Sequence, residues 1–440
     1  MITSSADTGI PIRLRHRILN AGLWVTAGFV LDKIMAVGQL MVVARLLTPA
    51  DFGLMAAVAV VMVTLLTLSE LGLEQALLTK PEGSETDMAV AWTLAVCRGT
   101  VLMLGVWIFA APLAALFKTA ELEQLLRVFA IGLLIQSLHS PALVWLMKNL
   151  EHKRRVQFDL VRRVVETGVT IGLALWWRNA WALVGGQLAG FIVGSLLSYV
   201  VAPFRPRLSL AQPSRSYLMQ YGHQVNRTTW LIFGVTSGGE FVIGRLLGLE
   251  ALGLYQIAMA LPLLIGTRLP LLMNQISLPT YMLLERDRPA VVRGFLLQMI
   301  GMAWLLGPLS LGMALGAPAI VDIIGGAKWA EAVGPLRILS FYALCCGFST
   351  LMGSLHYGLR RPDIQTKIWL VQGIVYALSL VPLTSSAGLS GAAWALSLSY
   401  GVGFLLHLYY TRVLLLRSGE TVFGLCRQEA PHVWGLLKGL

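Results

Sequence analysis

The chain has 440 residues, of which 56% are hydrophobic and 13% are charged, and its mean hydropathy is +0.72. Soluble domains carry roughly a quarter of charged residues, so this composition excludes a soluble protein and indicates a polytopic membrane protein. The formal net charge of +12 comes largely from basic residues between apolar stretches. This placement favours contact with anionic lipid head groups and argues against nucleic acid as a partner.

The apolar stretches, taken in chain order, predict twelve transmembrane helices. They lie near residues 21–46, 52–78, 88–112, 122–146, 160–178, 181–203, 223–247, 251–279, 292–316, 333–358, 364–384 and 389–411. With a cytoplasmic N-terminus, the basic clusters fall on the cytoplasmic side, around residues 148–163, 205–215, 286–293 and 360–367. The positive-inside rule therefore predicts that both termini are cytoplasmic.

One hairpin occurs twice in the sequence. The stretch from Val42 to Leu78 places a tight turn, Thr48-Pro49-Ala50-Asp51, between two apolar segments. A matching pattern returns 200 residues later, pairing Arg45, Leu46, Leu47, Gly53 and Leu54 with Arg245, Leu246, Leu247, Gly253 and Leu254. The sequence thus predicts two copies of a six-helix bundle in the same orientation, as in parallel transporter repeats.

The polar interruptions set the predicted domain limits. We expect a cytoplasmic N-terminal segment at 1–20, six-helix bundles at 21–205 and 222–411, a cytoplasmic linker at 206–221 and an interfacial tail at 412–440.

Charged residues inside the predicted spans are candidate functional residues, because a charge at the bilayer centre costs about 2.5–3.5 kcal/mol on insertion scales. Lys33, Arg98 and Arg268 fall near mid-depth and favour an electropositive cavity. A guanidinium can bind two phosphate oxygens at once, so these cations indicate an anionic, phosphate-bearing substrate. The alternative is that they only join helices through ion pairs.

Further intramembrane charges are candidates for gating or ion coupling: Asp32, Glu70, Glu240, Arg45 and Arg245. Adjacent helical residues point about 100° apart, so only one of Asp32 and Lys33 can face a narrow cavity. Arg45 and Arg245 could equally cap the last carbonyl groups of their helices. Glu70 and Glu240 could equally pair with a neighbouring cation.

Local patterns add three expectations. Pro262 and Pro270 flank Arg268, so the eighth span is predicted to be kinked or broken. Gly186, Gly190 and Gly194 form a tandem GxxxG pattern that permits close helix packing. Because the sequence contains no P-loop, HExxH motif or Ser/His/Asp arrangement, we expect no catalytic residue, no metal ion and no cofactor.

The run from Ala44 to Leu78, with Leu-Leu-Thr-Pro-Ala-Asp-Phe-Gly and Ser-Glu-Leu-Gly-Leu, resembles the signature hairpin of polysaccharide transporter proteins. These are the oligosaccharide flippases of the multidrug/oligosaccharidyl-lipid/polysaccharide exporter superfamily. Similar stretches, such as Arg98-Gly99 and Phe204 to Leu208, extend the resemblance from about residue 20 to 410. Relatives often carry an acid at the position of Gly239.

The resemblance implies two bundles around a central cavity and alternating access. It also implies a non-enzymatic protein that moves a polyprenyl-diphosphate-linked oligosaccharide from the cytoplasmic to the outer leaflet of a bacterial plasma membrane. The expected roles are capsule, exopolysaccharide or O-antigen synthesis, and the expected partners are this lipid, membrane lipids and the polymerase or export machinery.

Two other functions stay open. A cation-coupled exporter of drugs or small solutes could use the same fold, but it would favour an acidic cavity. A membrane-embedded glycan polymerase or ligase would need a large external loop with acid/base residues, and the predicted connections are too short for one.

Overall fold

The computed structural model describes residues 12–80, 84–149, 151–212, 214–216, 238–284 and 287–415, and these residues form helices without any β-strand among them. This confirms the predicted all-α polytopic membrane fold. Contacts divide the chain into two compact units, residues 1–229 and 230–440. Parts of the predicted N-terminal segment, linker, seventh span and tail lie outside the described residues, at 1–11, 217–221, 223–237 and 416–440.

The first unit contains eight helices whose bounds are described, and residues 212 and 214–216 are also helical. The eight helices are α1 (Ile12–Leu46), α2 (Pro49–Leu68), α3 (Leu73–Thr79), α4 (Glu85–Leu116), α5 (Glu121–Ser137), α6 (Leu143–Lys148), α7 (His152–Trp177) and α8 (Trp181–Val201). Helix α7 packs against α1 and α8, and α5 packs against α2, α4 and α8. The second and fourth predicted spans are each divided into two helices. Pro141, which has no backbone N–H, lies in the second of these breaks.

The second unit is also helical. Its elements are α9 (residues 238–246), α10 (Leu249–Leu263), a π-helical turn (Leu264–Arg268), α11 (Leu269–Leu283), α12 (Arg288–Leu315), α13 (Ala317–Gly325), a 3-10 turn (Ala327–Ala332), α14 (Val333–Gly358) and α15 (Pro362–Leu415). Helix α14 lies at the centre and contacts α10, α11, α12 and α15.

Helix α15 contains the last two predicted spans. The chain reverses at Gly388, whose φ of 58° and ψ of −136° are not helical. The Ser399 hydroxyl donates to the Gln372 carbonyl at 2.9 Å, which joins the two antiparallel halves. Only glycine adopts this backbone conformation readily.

The predicted interruption of the eighth span is confirmed. A π-helical turn separates α10 from α11, with Pro262 before it and Pro270 after it. Each proline lacks the N–H that a continuous helix requires, and a π turn is one way of accommodating the altered hydrogen bonding.

Eight helices in the described part of the chain are long and apolar enough to cross a membrane. One of these is α15, which holds two predicted spans. Three predicted spans are not among these eight helices, for different reasons. The fourth is divided into short helices, the fifth is rich in charge, and the seventh is described only from residue 238.

The repeated hairpin has the same helix boundaries in both units. Helix α1 ends at Leu46 and α2 begins at Pro49, while α9 ends at residue 246 and α10 begins at Leu249. The Leu47 amide donates to the Val43 carbonyl at 2.9 Å, and 200 residues later the Leu247 amide donates to the Ile243 carbonyl at 2.8 Å. The sequence match therefore reports a real structural repeat.

The two copies of the turn are capped differently. Thr48 and Asp51 form a capping box, in which the Asp51 carboxylate accepts from the Thr48 amide at 2.9 Å. Asp51 also accepts from the Ala180 amide at 3.0 Å, which joins this hairpin to the turn between α7 and α8. In the second copy the N-cap residue is Gly248, which has a φ of 92° and makes no side-chain capping hydrogen bond.

The glycine pattern of α8 brings α7 close, as predicted. A Cβ at Gly186 would overlap the Thr170 hydroxyl and lie 2.9 Å from the Thr170 Cα. A Cβ at Gly190 would lie 3.1 Å from the Glu166 side chain, and one at Gly194 would lie 2.9 Å from Arg162. The glycines thus leave room for polar and charged side chains of α7.

We predict that Gly186→Ala destabilises the purified protein by ~1–3 kcal/mol, because the added methyl overpacks against the α7 backbone. Thermal unfolding in detergent measures the effect. Gly172→Ala is the matched control, since a Cβ there meets nothing within 4 Å, and it should be neutral or stabilising. Equal unfolding midpoints for the two variants would show that the glycine does not set the packing.

We also predict that Asp51→Ala lowers stability by ~0.5–2 kcal/mol, because it removes a helix cap and leaves the Ala180 amide without its acceptor. The same unfolding measurement applies. Glu121→Ala is the control, because Glu121 lies exposed in the first turn of α5, where no side chain caps the helix. A midpoint for Asp51→Ala as high as that of the control contradicts the prediction.

Candidate functional site

The first unit encloses a cavity of about 530 Å³, lined by residues from α2 to α8. This volume lies within the ~300–1,000 Å³ range of small-molecule sites. Three arginines and three carboxylates supply its charges: Arg98, Arg155, Arg162, Glu70, Glu74 and Asp159. The cavity therefore contains guanidinium groups and an equal number of carboxylates.

Arg98 reaches from α4 to the broken end of α2. Its Nε donates to the Ser69 hydroxyl at 3.0 Å, and its Nη2 donates to the Leu66 carbonyl at 2.7 Å. Glu70 lies 3.6 Å from the same guanidinium. Because the end of a helix leaves carbonyl groups without intrahelical partners, Arg98 stabilises the break in α2 as well as lining the cavity. Of the residues predicted to form a site, Arg98 and Glu70 lie next to each other in this cavity.

Arg155 and Arg162 come from α7 and were missed by the sequence prediction. The fifth span was predicted to begin at residue 160, with the preceding basic residues in a cytoplasmic loop, but α7 begins at His152. Arg162 therefore lies well inside a helix, and this part of the prediction is wrong. The available signal was the spacing of Arg155, Asp159, Arg162 and Glu166, which places one charged face on a helix.

The cavity arginines are only loosely paired with carboxylates. Arg155 lies 3.3 Å from Asp159 and Arg162 lies 3.5 Å from Glu166, whereas Lys80 and Asp87 elsewhere in this unit approach to 2.7 Å. Tight charge-assisted hydrogen bonds measure about 2.7–2.9 Å. Both Nη atoms of Arg155 and Nη2 of Arg162 have no hydrogen-bond partner in the described ranges. These donors are available to an anionic ligand.

Asp32 and Lys33 lie away from this cavity. They form an ion pair with each other at 2.7 Å, and Asp32 also lies 3.4 Å from Arg163 on α7. Arg163 in turn donates to Glu166 at 2.9 Å. Asp32 therefore joins α1 to α7, and neither Asp32 nor Lys33 lines the cavity of the first unit.

The remaining predicted residues are dispersed. Arg268 is exposed at the end of the π-helical turn of the second unit, and Arg45 and Arg245 are exposed at the ends of α1 and α9. Glu240 accepts a hydrogen bond from Nε2 of the Gln256 side chain at 3.0 Å.

The residue before Glu240 is Gly239, at a position where the family resemblance leads us to expect an acid. A Cβ at this glycine would overlap the Tyr376 hydroxyl. Tyr376 thus fills the space that an acidic side chain at this position would occupy.

Known proteins are similar to the chain in sequence. The chain is 21% identical over 382 residues to the lipopolysaccharide biosynthesis protein WzxC of Escherichia coli (strain K12), covering 86% of this chain and 77% of the relative. It is 26% identical over 310 residues to the succinoglycan biosynthesis transport protein ExoT of Rhizobium meliloti (strain 1021), covering 68% of this chain and 60% of the relative.

Solved structures share the fold. The lipid II flippase MurJ in an inward closed conformation matches with a TM-score of 0.71 and 13% identity, covering 89% of this chain and 87% of that one. An inward-facing multidrug resistance MATE family transporter matches with a TM-score of 0.70 and 13% identity, covering 87% and 94%. At this identity the likeness concerns the fold alone.

The family resemblance is confirmed by a sequence model described as "Polysaccharide biosynthesis protein", which matches residues 42–334. This match covers more than half of the chain. The chain belongs to the polysaccharide biosynthesis protein family.

Proposed function

We propose that this protein moves a polyprenyl-diphosphate-linked oligosaccharide from the cytoplasmic to the outer leaflet of a bacterial plasma membrane by alternating access. The glycan would supply capsule, exopolysaccharide or lipopolysaccharide synthesis. Both termini would be cytoplasmic, and the polymerase or export machinery would receive the product. Family membership supports a role in polysaccharide biosynthesis, and the related proteins bear names of lipopolysaccharide and succinoglycan biosynthesis.

The observation that carries the proposal is the set of three arginines in one cavity. Guanidinium groups match phosphate oxygens in charge and geometry, and here they retain unused donors. Loosely held carboxylates stabilise these cations while the cavity is empty, and a diphosphate would bind in their place.

The deciding measurement is the location of the lipid-linked oligosaccharide in a strain lacking this gene. A probe that reaches only the outer leaflet reports which side the lipid occupies. Accumulation on the cytoplasmic face supports a flippase. Accumulation on the outer face places the block after translocation and overturns the proposal. Normal glycan export with altered drug tolerance would identify the exporter alternative.

We predict that Arg155→Gln reduces glycan export by about tenfold or more, because a charge-assisted hydrogen bond contributes ~1.5–3 kcal/mol. Arg155 tests the ligand more cleanly than Arg98, which also stabilises the end of α2. The measurement is glycan export in the deletion strain, complemented to equal protein levels.

Arg154→Gln is the matched control for this prediction. Arg154 is the neighbouring residue on α7, its side chain is 66% exposed, it pairs with Glu151, and it does not line the cavity. Export should therefore stay near the wild-type level. If both variants export equally well, α7 does not contact the substrate.

A further inference from the structure

The second unit contains an apolar groove of about 270 Å³ between α12, α14 and the second half of α15. Its lining is almost entirely hydrocarbon and includes Phe295 and Met299, Phe348 and Met352, and Phe404 and Leu408. The groove is too apolar for a sugar or a phosphate, because burying either without hydrogen bonds is unfavourable. It is suited to a segment of a hydrocarbon chain.

The groove lies at the repeat equivalent of the arginine cavity. Val292, Phe295 and Met299 line the groove from α12, and the residues 200 positions earlier, Trp92, Ala95 and Gly99, line the cavity from α4. This shift is the one that relates the two hairpins, whereas the ends of α4 and α12, Leu116 and Leu315, are 199 residues apart. The third long helix of each repeat therefore borders a polar site in one unit and an apolar site in the other.

One end of the groove is basic. Arg412 is the only charged side chain in its lining, and the guanidinium has no hydrogen bond or ion pair to any described residue. Beside it, Arg288 donates to the Leu415 carbonyl at 2.6 Å, at the end of α15. An apolar groove with a cationic end has the polarity of a lipid whose head group is a phosphate.

We propose that this groove binds the isoprenoid chain of a polyprenyl-phosphate lipid, with the phosphate at Arg412. The choice of a polyprenyl lipid rests on the proposed function, in which the transported lipid carries such a chain. Three phenylalanines and two methionines give the groove polarisable walls, which suit an unsaturated, branched chain.

The test uses the full-length protein in phosphatidylcholine nanodiscs and a polyprenyl phosphate that carries a photoactivatable diazirine but no sugar. Mass spectrometry maps the adducts after illumination. We expect adducts on the groove segments of α12, α14 and α15, displaced by unlabelled polyprenyl phosphate and not by phosphatidylglycerol. Adducts spread over the lipid-facing surface, or equal displacement by phosphatidylglycerol, would identify ordinary bilayer lipid and overturn the proposal.

A matched pair of variants on α15 tests the groove itself. Leu408→Trp should fill it and lower adduct yield about tenfold, which corresponds to ~1.4 kcal/mol. Leu405→Trp should leave the yield unchanged, because Leu405 is 63% exposed and does not line the groove. Equal losses in the two variants count against the site. Arg412→Gln should lower labelling without adding bulk, which keeps the test valid if Leu408→Trp does not fold.

Labelling and export separate this proposal from the proposed function. Specific labelling of the groove in a protein whose export does not need the cavity arginines would leave the lipid site standing and overturn the flippase mechanism. Unspecific labelling in a protein whose export does need those arginines would overturn the lipid site alone.

Discussion

The structure of the first unit depends on accommodating charge among apolar helices. An isolated ion in such surroundings is strongly unfavourable, so each charged side chain of α7 needs a partner and space. Carboxylates on the same helix pair with Arg155, Arg162 and Arg163. The glycines of α8 provide the space, since larger residues there would collide with Glu166 and Arg162. The close packing of α8 on α7 and the accommodation of the α7 charges therefore depend on the same residues.

The break between α2 and α3 also helps to accommodate a charge. A continuous helix would satisfy the Leu66 carbonyl internally, and Arg98 would then lose its best acceptor. Interrupting the helix exposes the Leu66 carbonyl and the Ser69 hydroxyl to the guanidinium, which donates to both of these neutral acceptors. They hold Arg98 at the cavity wall, and Glu70 supplies a carboxylate 3.6 Å away.

Much of this fold could be predicted from the sequence because its signals are local. The hairpin turn, the prolines around Arg268 and the glycine pattern of α8 each act through neighbouring backbone, and each was found in the structure.

The site was harder to predict from the sequence, because it depends on which helix faces meet. Arg98 could be placed in a span by its apolar surroundings. Arg155 and Arg162 resembled loop residues for two reasons. A hydropathy window averages the charged face of a helix with its apolar face, and basic residues near the end of a span were assigned to the cytoplasm. Lys33 forms an ion pair with its neighbour Asp32 and does not line the cavity of the first unit, which no pattern in the sequence predicted.

The common register of the two units carries an evolutionary consequence. From the first hairpin to the end of the third span, equivalent helix ends stay between 199 and 204 residues apart, so this part of the duplicated gene has gained or lost only a few residues. The offset grows to 212 only after α12, where α13 and the 3-10 turn precede α14, whose counterpart α5 begins at Glu121. Substitution at nearly constant backbone length, rather than the acquisition of new segments, therefore accounts for the divergence of one ancestral helix into α4, which borders a polar cavity, and α12, which borders an apolar groove.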